Sequence, residues 1–112
     1  MLNCVRWLDD GRIIAAGARG TIVEGRGMAW RVIDQIDVED EIWAVESLQG
    51  QVWFATDDAL YRLEAGDRLV RVEVGVDALT AGFLHQKDGL MLSVGRKHLL
   101  YTLNGTSWTL FS

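Results

Sequence analysis

Two glycine series share one period, and that period constrains the fold more than anything else in the chain. Gly11, Gly50 and Gly89 are 39 residues apart, and so are Gly27, Gly66 and Gly105. A fixed period of about 20–50 residues marks an architecture made from one repeated supersecondary unit. Apolar positions follow the same spacing without gaps. Ile13, Val52 and Met91 align, as do Ile14, Trp53 and Leu92, and Ile22, Tyr61 and Leu100. Trp30, Leu69 and Trp108 form another row, and Ile33, Val72 and Phe111 another. Gly17 and Gly95 are two periods apart, with Thr56 between them.

Each unit carries four short apolar runs separated by turn residues. In the middle unit these are residues 42–48, 52–56, 60–63 and 69–74. The last run alternates apolar and polar residues, as a strand with one wet face does. The second is almost wholly apolar, as a strand covered on both faces is. Gln49-Gly50 reads as a tight hairpin and Glu64-Ala65-Gly66-Asp67 as a longer one. Val76, Leu79, Thr80, Phe83 and Leu84 also fit a helical stripe. The matching segment of the preceding unit puts Asp40 and Glu41 on such a stripe, so strand is the expectation there. Four antiparallel strands per roughly 40 residues is the make-up of a β-propeller blade. The expected class is all-β, with blades at residues 1–39, 40–78 and 79–112.

Composition narrows the functions open to such a chain. With 49% apolar residues in a chain of 112, a packed core needs no staples. No apolar run approaches the roughly 20 residues of a membrane span. Arg6, Asp9 and Asp10 stand where a signal peptide would be apolar, so the expected location is the cytoplasm. Cys4 is the one cysteine, which excludes an intrachain disulfide, and with only His85 and His98 beside it a zinc cluster is not expected. The net charge of −5 argues against nucleic-acid binding. No metal or cofactor is expected, and no phosphate loop or nucleophile elbow is visible.

The run from Gly50 to Leu63 resembles the blade repeat of two-component-regulator-type propellers, Gly-x-apolar-Trp-apolar-Gly-Thr-x-x-Gly-Leu-x-Arg-apolar. Ala55 and Ala59 stand where that pattern has glycine. Residues 101–109 resemble the Asp-box, or BNR-like, hairpin Ser-x-Asp-Gly-x-x-Trp-Thr, with Thr102 for the Ser and Asn104 for the Asp. The first unit keeps Trp30 but has Glu24 to Gly27 where the box would be. These resemblances imply a scaffold rather than a catalytic set.

Three blades leave a ring open, since propellers typically have 4–8. One apolar blade face would be bare at each end, and such a patch marks an interface. The first unit starts near an inner strand and the third ends on an outer one, both at blade boundaries. The expectation is a head-to-tail homodimer of six blades. Residues 79–112 carry a charge of +2, residues 1–39 carry −1 and residues 40–78 carry −6, which suits that pairing. The other possibility is a piece of a longer propeller.

Propeller ligands bind at the mouth of the central channel. Trp7, Glu46 and His85 align at the repeat spacing and are the candidate channel-facing residues; they could equally face water at a strand end. Arg19, Asp57, Asp58, Arg96 and Lys97 fall in equivalent turns and form a candidate charged rim, or simply solvated turns. Asp37, Glu39, Asp40 and Glu41 lack the glycine-bearing spacing of a calcium loop. Trp30, Trp53 and Trp108 read as core, and Trp7 as the tryptophan able to stack on a sugar. The leading expectation is a non-enzymatic binding module, taking carbohydrate or a small ligand at the channel. The alternatives are a channel-site hydrolase using Glu46 and His85 as acid and base, or a structural or sensory propeller fragment.

Overall fold

A computed structural model of the chain describes residues 1–35 and 38–111. It is all-β, with three four-stranded antiparallel sheets, each running in sequence order. The first sheet holds β1 (Leu2–Trp7), β2 (Arg12–Gly17), β3 (Ile22–Arg26) and β4 (Ala29–Val32). The second holds β5 (Ala44–Leu48), β6 (Gln51–Ala55), β7 (Leu60–Glu64) and β8 (Arg68–Arg71). The third holds β9 (Phe83–Lys87), β10 (Leu90–Val94), β11 (Leu99–Thr102) and β12 (Thr109–Leu110). Strand formation follows the β-branched and aromatic runs, and each run stops at a glycine-bearing or Asp/Asn-bearing turn. Residues 76–82, where a helical stripe competed with a strand, are neither; the strand begins at Phe83.

Alternation along the strands sends side chains to both faces of the middle sheet, and both are covered. Val45, Val52, Phe54 and Leu69 pack with Ile14, Ala16 and Ile22 of the first sheet. Trp53, Ala55 and Leu60 point the other way and pack with Leu84, Met91 and Leu100 of the third. This explains why β6 is continuously apolar: Trp53 and Phe54 are adjacent, both fully buried, and belong to different cores. Trp108 meets Trp53 edge-on, with ring centroids 5.7 Å apart.

The end sheets each keep one face uncovered. On the first sheet, Val5 pairs with Ala15, Trp7 with Ile13, Val23 with Val32, and Gly25 with Trp30, which places all eight on one side. Val5, Trp7, Trp30 and Val32 are exposed there. On the third sheet, Phe83 pairs with Val94 and Tyr101 with Leu92, on the side turned away from the middle sheet. Phe83 is exposed there, as is Phe111 beyond β12.

Backbone pairing corrects the ungapped repeat alignment in two strands of the first unit. In β1 it is Arg6 that lies opposite Ile14, as Glu46 lies opposite Trp53 and His85 opposite Leu92. Trp7 therefore corresponds to Ser47 and Gln86, not to Glu46 and His85. The cause is a longer first hairpin, in which Leu8 donates to Arg12 across Asp9-Asp10-Gly11. Its counterpart closes Leu48 on Gln51 across Gln49-Gly50 alone. In β3, Ile22 pairs with Ala16 while Tyr61 pairs with Phe54, so Ile22 corresponds to Leu60 and Leu99. A one-residue slip turns a side chain to the opposite face, and Ile22 is accordingly buried against the middle sheet. One row keeps its spacing in the backbone pairing. Ile33, Val72 and Phe111 each donate a backbone N–H to the matching third-strand carbonyl, on Ile22, Leu60 and Leu99.

Candidate interaction site

The first strands of the three sheets carry a polar row across the stack. Glu46 on β5 is buried, with its side chain only 6% exposed. It is held by three groups: the Arg6 guanidinium of β1 at 3.3 Å, the Gln86 backbone N–H of β9 at 3.2 Å, and the Ser47 backbone N–H at 3.0 Å. Arg6 Nε also donates to the Val45 carbonyl at 3.4 Å. A buried carboxylate is tolerated only where charge and hydrogen bonds replace lost water, and here they come from both neighbouring sheets. Glu46 thus ties all three sheets together.

The side chains of the three candidate channel residues do not converge on one place. Trp7 is on the bare face of the first sheet and is 73% exposed. Glu46 lies between the second and third sheets. His85 is exposed on the bare side of the third, stacked near Phe83 at 6.4 Å. The residue the repeat spacing missed is Arg6. Its signal was present as a charge opposite to that of Glu46, one residue off the period.

A cleft opens beside this row at the first hairpin of each unit. It is lined by Asp9, Asp10 and Arg12 of the first unit, Ser47 and Gln49 of the second, and Gln86 of the third. Arg12 binds Asp10 at 2.8 Å and Glu24 at 3.1 Å. The Asp10 carboxyl is held below its usual range, first by the Arg12 backbone N–H and then by the Arg12 side chain. Arg31 joins Glu24 at 3.1 Å to Asp67 at 2.8 Å, clasping the first sheet to the second.

The rim candidates Arg19, Asp57, Asp58, Arg96 and Lys97 are all exposed, in the turns between second and third strands. Thr56 Oγ1 donates to Asp58 at 3.4 Å. The turn after β11 is built by two side chains. Thr102 Oγ1 accepts from the Gly105 N–H at 2.9 Å and donates to the Ser107 carbonyl at 2.7 Å. Asn104 Oδ1 accepts from the Thr106 and Ser107 N–H groups, both at 2.8 Å. These bonds seat Gly105 against Trp53, as part of the packing. In the acidic run, Glu41 accepts a hydrogen bond from Asn3, and Asp37 lies outside the described residues. Among the described residues, no three His, Cys, Asp or Glu side chains cluster to hold a metal ion.

Comparison with known proteins finds a curated relative. The chain is 29% identical, over 110 residues, to the immune protein Tsi7 of Pseudomonas aeruginosa. That alignment takes in 97% of this chain and 35% of the relative, so the chain spans about a third of the relative's length. No family model matches. No helix among the described residues is long and apolar enough to cross a membrane.

Proposed function

We propose that this chain is a non-enzymatic interaction module of the immune-protein kind, one that binds a partner protein and blocks its action. The observation that carries this reading is the similarity along nearly the whole chain to a protein named for immunity. The site chemistry favours it too. Glu46, the carboxylate an acid–base mechanism would need, is engaged by Arg6 and two backbone N–H groups. The charged turns and the cleft at the first hairpins offer a mixed polar surface on short, well-anchored loops, which suits recognition of a protein.

In this reading the three sheets are consecutive blades of a propeller-type ring, and the module works in the cytoplasm. The matched 110 residues are 35% of the relative, which leaves it room for about eight units of 39 residues, enough for a closed ring. The test is to co-express the chain with toxic proteins encoded by the same genome. Restored growth, with a complex that co-elutes on gel filtration, supports the reading. Absence of both for every toxin tested overturns it. Glu46→Gln should leave protection intact, whereas a channel hydrolase would lose its turnover.

A second reading rests on Trp7, whose indole is exposed on an apolar face and is able to stack on a sugar ring. A glycan array reports it, and Trp7→Ala should abolish any signal.

A further inference from the structure

We propose that two copies of this chain pair head to tail, the bare face of the third sheet of each covering the bare face of the first sheet of the other. The proposal rests on the reading of the sheets as units of a ring.

Each bare face repeats a face that the chain already buries. Leu92, Val94 and Leu99 on the third sheet hold the positions of Trp53, Ala55 and Leu60, which the second sheet packs against the third. On the first sheet, Val5, Ile13 and Val23 hold the positions of Val45, Val52 and Tyr61, which pack against the first. The chain thus contains the proposed contact twice, between its own sheets, and presents its two unmatched halves at opposite ends. A second copy supplies both missing partners. Phe83, Val5 and Val32 are 54%, 64% and 61% exposed in the single chain. Val5 and Val32 share the first face and Phe83 lies on the third, and apolar residues so exposed mark an interface. A contact between unlike faces forms an open filament unless rotation closes it. Two copies of three sheets give six, within the 4–8 of known rings.

Carrying the internal contacts forward by one unit places particular residues across the new interface. Gln49 Nε2 donates to the Leu103 carbonyl between the second and third sheets. One unit on, those positions are Asp88 and, in the other copy, Arg26. Both are exposed in the single chain and they carry opposite charge. Glu46 accepts from the Gln86 N–H; one unit on, His85 meets the backbone of Trp7 in the other copy. That indole would then be covered, so self-pairing and sugar stacking compete for it.

Sedimentation equilibrium of the 112-residue chain tests this. The expected mass is twice 12.5 kDa, and a monomer at about 100 μM overturns the proposal. Val5→Arg and Phe83→Arg alter exposed positions at opposite ends, and each should give a folded monomer, checked by circular dichroism. Mixed together, they retain one intact pair of faces and should form a heterodimer. A pairing of like faces would be broken by one of these variants and survive the other, and that result also overturns the proposal. Asp88→Arg should weaken pairing about fivefold or more by facing Arg26 with a like charge, and Asp88→Arg with Arg26→Asp should restore it. Protection against a toxin is scored separately. Loss of pairing with protection intact in Val5→Arg leaves the immune-type reading standing, and a dimer without protection leaves the pairing standing.

Discussion

Trp53 shows how much of this molecule rests on single side chains. It is fully buried, lies between two sheets, takes the edge of Trp108 and carries Arg62 over its ring at 5.7 Å. Trp53→Ala should cost about 3–5 kcal/mol in urea unfolding. Its indole N–H is buried with no acceptor. Trp53→Phe removes that orphan donor along with some volume, so its cost should fall well below the alanine value. Gly105 sits at φ +78°, with an added Cβ only 2.9 Å from the Trp53 ring. Gly105→Ala should therefore cost about 1–3 kcal/mol, the strain of a non-glycine residue at positive φ plus the clash. Cys4 is a further case. Burial pushes its thiol above the ordinary range, against smaller opposing effects of the Ala16 backbone and Arg6. Labelling by a disulfide reagent at neutral pH should be slow in the folded chain and fast in urea.

Between strands, the clasp of Arg31 on Asp67 is the contact most open to solution conditions. The Arg31 guanidinium holds the Asp67 carboxyl below its ordinary range. A depressed carboxyl contributes stability above its unfolded value, near pH 4, and loses it as pH falls through the lower folded value. Acid unfolding should show that loss, and Asp67→Asn should flatten it. Because Arg31 is exposed and Asp67 half-exposed, the effect is small and should fade in high salt. The same scale shows what the amino-acid order made legible. Strand positions in the middle unit were readable because apolar runs and glycine turns coincide. The faces in β1 and β3 of the first unit were not. One extra residue in the Asp9-Asp10-Gly11 hairpin moves Trp7 out of the row of Glu46, and no period in the side chains records a loop length. The polar row of Arg6, Glu46 and Gln86 was hidden for that reason, and because one of its donors is backbone.

For the whole molecule, the consequence is one of linkage. A chain that leaves an apolar face at each end gains stability from whatever covers them. The pairing proposed above predicts a Tm that rises with protein concentration in differential scanning calorimetry. Val5→Arg and Phe83→Arg should each give a Tm independent of concentration. A dye that fluoresces on apolar surfaces should bind those variants more strongly than the parent chain.

The unequal loops of the first unit bear on how such a chain lengthens. The second and third units share their first two turns and their strand registers, so a tandem duplication of either would meet faces already shaped to receive it. A copy of the first unit would bring its own offset and interrupt the polar row. Growth by whole units, with interior contacts inherited rather than reinvented, is therefore easiest toward the C-terminal side of β4.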